Sequence, residues 1–250
     1  MNTQAIILAA GKGVRMGLLE TPKVLVPLSG KPLISYLTNE VKKLHFNLPT
    51  IVVVGYKYDQ IQKVLGPDYD YAFQQGLLGT GHAVKAAIGR IKAPNVIVLY
   101  GDVPFLKSES ITKLINLHED RKSSLSMFTA FVPNFENEYL TFKGFGRIIR
   151  NENNEITKIA EFIDATKDQQ EIREVNPGIY VFNTEWLKSN IDRLSTKNKK
   201  NEFYLTDMIE IAIKQNIPVT TSDIGPMEVM GVNTIFDLKT AESKVIEIVS

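Results

Sequence analysis

Three short stretches gather residue types that do chemistry together. The first is Leu8-Ala9-Ala10-Gly11-Lys12-Gly13-Val14-Arg15-Met16, followed a little later by Lys23. Small residues and glycines let backbone N–H groups come close to a phosphate, and Lys12, Arg15 and Lys23 add positive charge beside it. The glycine spacing fits neither the Walker loop nor the dinucleotide fingerprint, and Gly11 and Gly13 read equally as a tight turn that needs glycine backbone angles. The second stretch is Tyr100-Gly101-Asp102-Val103-Pro104. Asp102 is either a ligand for Mg²⁺ bridging phosphate oxygens or a turn-forming aspartate before proline. Asn233, in Gly231-Val232-Asn233-Thr234, is either a helix cap or a neutral oxygen ligand for the same ion. The third stretch runs Gln74-Gln75-Gly76-Leu77-Leu78-Gly79-Thr80-Gly81-His82. An amide there can read the edge of a base while glycines make room for a flat ring; the bland alternative is polar surface. His82 falls in the first turn of a helix and receives no role. Trp186 and the phenylalanines fit a core better than a base-stacking platform.

These stretches need rigid elements to aim them. Residues 5–9, 50–54 and 96–100 are short, branched, continuous apolar runs, as expected of strands buried on both faces. Between them lie helical patterns: residues 31–44 with Pro32 near the first turn, a helix capped by Thr80, and another capped by Ser108. Strand–helix alternation of this kind predicts right-handed crossovers and a mainly parallel sheet. The glycine-rich stretch follows the first of these strands and Asp102 follows the one starting at Val96, and the carboxyl ends of strands are where open α/β sheets bind ligands. In the second half, strands are expected at 124–132, 175–182, 217–222 and 227–231. A hairpin is expected from 146–150 and 156–163, and helices from 184–194, 204–215 and 236–249. The run 197–201 reads as a solvated loop, and Asp68-Tyr69-Asp70 as a surface turn.

Composition narrows the classes. The 250 residues carry 29 Lys and Arg against 28 Asp and Glu, a net charge of +1, so a nucleic-acid partner is not expected. There is no cysteine, which removes disulfides, thiolate metal sites and cysteine nucleophiles. No apolar run approaches the roughly 18–20 residues that cross a bilayer, and no signal peptide is legible at the start. The expectation is a cytoplasmic protein with no membrane partner.

In their order along the chain, these segments resemble the sugar-1-phosphate nucleotidylyltransferases, and most closely the uridylyltransferase domain found in the bifunctional uridyltransferase/acetyltransferase family. The resemblance covers roughly residues 3–235. Besides the three stretches it rests on Pro22-Lys23-Val24-Leu25, Gly30-Lys31-Pro32, Gly144-Phe145-Gly146-Arg147-Ile148, Glu161, Asp164-Ala165-Thr166 and Glu174-Val175-Asn176. It continues through Asn201-Glu202-Phe203-Tyr204-Leu205-Thr206-Asp207. It implies a Rossmann-like α/β nucleotidyltransferase fold of the glycosyltransferase-A type. One domain would span 1–250, with a nucleotide-binding half to about 120, a sugar-binding half at about 121–235 and a terminal helix. The hexapeptide-repeat acetyltransferase half has no counterpart here, so a monomer or dimer is expected.

By the same resemblance, Leu8, Ala9, Ala10, Gly11, Tyr100 and Gly101 would contact the nucleotide, with Gln74, Gly79 and Thr80 at the uracil. Arg15, Lys23 and Asp102 would be catalytic, and Asp102 and Asn233 would hold Mg²⁺. Gly146, Glu161 and Asn176 would hold the sugar. The implied reaction is transfer of a uridylyl group from UTP to N-acetylglucosamine-1-phosphate. Three positions depart from the family: Ile163 where Lys is common, Pro177 where Thr is usual, and Leu77 where Gln is common. Arg147 and Lys167 are the nearest cations in sequence to replace the missing lysine. The departures keep open the same reaction with another nucleotide or sugar phosphate; a non-catalytic regulatory member of the fold is the rival of a different class.

Overall fold

The computed structural model of the chain describes residues 2–13, 16, 17 and 20–249, with side chains as far as residue 246. Strand β1 (Thr3–Leu8) is buried at every position, as a run with apolar side chains on both faces demands. A 3-10 turn, Lys23–Leu25, leads into a small hairpin of β2 (Pro27–Leu28) and β3 (Lys31–Pro32). Helix α1 (Leu33–Lys42) then covers the sheet with Leu33, Ile34, Leu37 and Val41. The helix expected from residue 31 starts two residues later because Lys31 and Pro32 are taken by the hairpin.

Next come β4 (Ile51–Val54), α2 (Tyr58–Leu65), β5 (Asp70–Phe73), α3 (Thr80–Ala87), β6 (Asn95–Tyr100) and α4 (Ser108–Asp120). Strands β5, β4, β1 and β6 lie side by side, all parallel. Thr80 and Ser108 are the first residues of their helices rather than caps; Gly79 and Lys107 hold the cap positions without a side-chain bond. Asp70 belongs to β5 and pairs with Arg90 at 2.5 Å, so that segment is more than a surface turn.

The second half continues the same sheet. It supplies β7 (Leu125–Phe131), β8 (Gly146–Arg150), β9 (Ile156–Ala160), α5 (Lys167–Gln170), β10 (Glu174–Asn176) and β11 (Tyr180–Asn183). It ends with α6 (Thr184–Asn190), α7 (Asp207–Lys214), β12 (Thr220–Asp223) and α8 (Ile235–Val249). Beyond β6 the ladder runs β11, β7, β10, β8, β9 in antiparallel pairs, while β12 joins β7 in parallel. β6 therefore has parallel β1 on one side and antiparallel β11 on the other.

Three sequence expectations shift here. The strand expected at 175–182 is two, broken where Pro177 offers no N–H and Gly178 turns with φ +81°. Residues 227–231 form no strand; Pro226–Val229 is a 3-10 helix, started by a proline whose fixed φ suits a first helical turn. The strand after α7 begins only at Thr220, because the Ile217 N–H is spent on the Ala212 carbonyl at the helix end. Among the described residues, no helix is long and apolar enough to cross a membrane.

Candidate active site

The carboxyl ends of β1 and β6 lie next to each other, tied by the Gly101 N–H donating to the Leu8 carbonyl at 3.0 Å. Beyond Leu8 the chain turns outward through Ala9, Ala10 and Gly11, and Gly13 adopts φ +69°. A Cβ at Gly13 would stand 2.9 Å from the Lys23 Cβ and 3.2 Å from its Cα. The loop thus packs directly on the backbone of Lys23, which requires glycine both for its angle and for its closeness. Lys12 lies over the Tyr56 ring, 5.7 Å from its centroid. Arg15 falls outside the described residues.

Lys23 reaches across to the end of β6. Its ammonium donates to the Asp102 carboxylate in a very short contact and to Asn233 Oδ1 at 3.0 Å. Asn233 arrives there because the Val232 N–H donates to the Asp102 carbonyl at 2.9 Å, which clamps the loop before α8 onto the tip of β6. Asn233 is not the cap of α8. Thr234 is: its hydroxyl accepts from the Asp237 N–H at 3.1 Å, and Asp237 returns bonds to the N–H groups of Asn233 and Thr234. The Asn233 side chain instead meets the Lys23 ammonium, which also binds Asp102.

Asp102 and Asn233 therefore direct two hard oxygens at one cationic point, filled here by the ammonium of Lys23. Such a donor pair fits Mg²⁺, which binds protein through one or two carboxylate-type ligands and takes the rest from phosphates and water. Among the described residues no group of three or more His, Cys, Asp or Glu that could hold a metal ion is present.

Two cavities meet along this wall. One, of about 240 Å³, is bordered by Leu8, Ala10, Gly11, Gln74, Gly79 and Thr80. The other, of about 310 Å³, is bordered by Gly146, Glu161, Asn176, Lys200, Tyr204 and Thr206. Lys23, Thr80, Tyr100, Asp102 and Glu202 border both. Burial, with the charges of Glu161 and Asp102 close by, pushes the Tyr100 hydroxyl up, so it stays a neutral donor between the cavities.

In the larger cavity Glu161 accepts from the Thr206 hydroxyl at 3.0 Å, and burial pushes its carboxyl up. Asn176 is held on both sides of its amide: Oδ1 accepts from the Gly178 N–H at 3.0 Å and Nδ2 donates to the Tyr180 hydroxyl at 2.7 Å. Gly146 is bare of Cβ because one would meet Ile159 Cγ2 at 2.9 Å.

The smaller cavity is closed from behind by the other half of the chain. The Phe203 N–H donates to the Leu78 carbonyl and the Gly81 N–H to the Phe203 carbonyl, both at 2.8 Å. Gly79, at φ +104°, could not carry a Cβ without meeting the Phe203 oxygen at 2.6 Å. Thr80 also binds across this seam, its hydroxyl accepting from the Leu205 N–H at 3.0 Å.

Residues 5–177 match the MobA-like NTP transferase domain. The chain belongs to that family. This NTP transferase domain is 41% identical to "Bifunctional protein GlmU" of Caldicellulosiruptor saccharolyticus over 245 residues, 96% of this chain and 51% of that protein. It is 36% identical to the protein of the same name from Bacillus licheniformis over 242 residues, again 95% and 51%. The chain thus spans about half the length of the curated relatives it matches. A solved UDP-glucose pyrophosphorylase complexed with UDP-glucose superposes with a TM-score of 0.77 at 16% identity, covering 99% of this chain and 100% of that one. A glucose-1-phosphate thymidylyltransferase structure from Bacillus anthracis gives 0.73 at 19%, covering 97% and 94%. These two show the shared fold. As a member of the NTP transferase family the chain is a nucleotidyltransferase.

The structure corrects one cation. Arg147 is fully buried, its guanidinium donating to the carbonyls of Gln170 at 3.1 Å, Lys143 at 3.0 Å and Phe145, with the Phe135 and Phe162 rings 4.4 and 5.2 Å away. It knits loops behind β8 and offers nothing to a phosphate. Arg147→Met should leave three main-chain carbonyls without their partner, at about 1 kcal/mol each or about 3 kcal/mol together. For a chain of this size that lowers the melting temperature by roughly 6–12 °C, measurable by calorimetry. An unchanged melting temperature would contradict the role. Lys167 caps nothing in either cavity, sitting on the exposed α5. Ile163 is 45% exposed and borders neither cavity; its carbonyl accepts from Lys199 Nζ at 2.5 Å. Sequence reasoning missed Lys200, Glu202, Tyr204 and Thr206, which all line the larger cavity. It had singled out part of their segment only as a point of resemblance, and read Lys200 as a solvated loop.

Proposed function

We propose that this chain transfers a uridylyl group from UTP to N-acetylglucosamine-1-phosphate with Mg²⁺, releasing pyrophosphate. The observation that carries the reading is the convergence of Lys23, Asp102 and Asn233 on the wall shared by two cavities. One cavity opens from the glycine-rich loop and suits a nucleotide; the other, lined with Glu161, Asn176 and Gly146, suits a sugar. A phosphate oxygen of the sugar phosphate attacks the α-phosphorus, that P–O bond forms, and the bond to the β-phosphate oxygen breaks as pyrophosphate leaves. No protein nucleophile is needed. The obstacle is crowded negative charge, which fixed cations relieve by positioning and electrostatic stabilisation. Bound between Asp102 and Asn233, Mg²⁺ would supply further charge neutralisation. Lys23 meets the phosphates, the neutral Tyr100 hydroxyl stands where the two substrates adjoin, and Gln74 faces the base. The curated relatives named GlmU support this choice of reaction among nucleotidyl transfers. Pyrophosphate release across a panel of nucleoside triphosphates and sugar phosphates tests it. Turnover best with UTP and N-acetylglucosamine-1-phosphate is expected, and faster turnover with another pair overturns the substrate assignment.

Lys200 also borders the sugar cavity, close enough for its charge to act on Glu161. Lys200→Ala should raise KM for the sugar phosphate about tenfold, the effect of losing roughly 1.4 kcal/mol of charge attraction, with KM for the nucleotide unchanged. Lys167→Ala should alter neither. Equal effects of the two substitutions in initial-rate kinetics would remove Lys200 from the site.

A further inference from the structure

Behind Gln74 stands a histidine with no role in the chemistry above. We infer that His82 is a positioning residue: it fixes the carboxamide of Gln74 in one orientation, so that the smaller cavity accepts a base with an N–H at its pairing edge and disfavours one with a bare ring nitrogen there. The inference rests on the proposed function in taking that cavity as the nucleotide site.

Gln74 is 4% exposed, and its Nε2 has two partners, the Gly79 carbonyl at 3.2 Å and His82 Nδ1 at 3.1 Å. A carbonyl oxygen only accepts, so the amide atom facing Gly79 must be the nitrogen. Its second N–H then points at His82 Nδ1, which must be the unprotonated ring nitrogen. Both amide protons are thereby used, and Oε1 is the atom left to the cavity that Gln74 borders. An oxygen presented this way accepts from an N–H such as that of the uracil ring. It repels the lone pair that cytosine carries at the same edge.

The ring of His82 is itself fixed. It stacks on Phe203 with centroids 6.3 Å apart and planes 25° apart, and Phe203 is anchored by its two main-chain bonds to Leu78 and Gly81. Base choice in one half of the chain thus depends on a side chain held by the other half. Without the Nδ1 acceptor the second amide proton has no partner inside the protein. The amide is then held by Gly79 alone and swings toward the cavity.

Equilibrium binding of UTP and CTP to the whole chain, by titration calorimetry without sugar phosphate, tests this. Wild type is expected to favour UTP. His82→Phe keeps a ring on Phe203 but has no acceptor, and should cut the UTP-over-CTP ratio about tenfold. His82→Asn returns an acceptor oxygen near the Nδ1 position and should hold the ratio within about threefold. His82→Leu makes the same measurement should the phenylalanine variant not fold. In a Gln74→Leu background, His82→Phe should have no further effect on the ratio, as expected when one residue acts through the other. A wild-type preference for UTP that survives both His82→Phe and His82→Leu overturns the role of His82 and leaves the proposed function standing. A wild type that does not distinguish the two nucleotides overturns the base reading and this inference together.

Discussion

Asp102→Ala is expected to lower turnover by about 10²–10³, the cost of deleting one principal electrostatic group from a site of this kind, while the chain stays folded. The Lys23 ammonium meets both Asp102 and Asn233, so removing Asp102 takes away the proposed metal ligand and also a group that aims that ammonium. Asp102→Asn separates these effects. It keeps an oxygen at the same place but not its charge, and should recover part of the rate only at raised Mg²⁺. Pyrophosphate release followed across a Mg²⁺ titration reads both. Near-normal turnover by folded Asp102→Ala at ordinary Mg²⁺ would sink the assignment.

Lys23→Met should reduce turnover about 10³-fold, because a unit charge roughly 4 Å from a phosphate contributes about 4 kcal/mol at an effective dielectric near 20. Lys23→Arg should not rescue it, since a planar guanidinium cannot occupy the compact point shared by Asp102 and Asn233. Stability should change little. Although the Lys23 and Asp102 side chains are only 17% and 10% exposed, both border the larger cavity, where water reaches the carboxylate left behind. A melting temperature within about 4 °C of wild type is expected, corresponding to roughly 1–2 kcal/mol. A larger drop with the rate per folded molecule preserved would make Lys23 structural.

The parallel half was legible because its strands are apolar on both faces and its loops carry glycine. Ala5-Ile6-Ile7-Leu8 and Val96-Ile97-Val98-Leu99 have no polar face to mislead. The tips of these strands, and so Asp102, followed directly. Asn233 was ambiguous for a physical reason: Asn and Thr both cap helices well, and only the fold reveals that Thr234 takes the cap. The break at Pro177-Gly178 was written in the sequence, yet the flanking apolar residues masked it.

Arg147 misled because a cation near a binding segment reads as exposed, whereas its guanidinium folds back onto the nearby Lys143 and Phe145 carbonyls and across to that of Gln170. Lys200 and His82 were passed over for the opposite reason. A lysine in a polar run and a histidine in a first helical turn have ordinary settings, and their neighbours lie on other segments. Neither Phe203 beneath His82 nor Glu161 beside Lys200 is adjacent in the chain.

Lys23, Thr80, Tyr100, Asp102 and Glu202 belong to the walls of both cavities at once. A molecule that settles in either one orders side chains that the other needs. The two binding events are then thermodynamically linked, and linkage has no direction: if the first occupant tightens the hold on the second by some factor, the second tightens the hold on the first by the same factor. A preferred order of arrival would be set by the rates of entry alone.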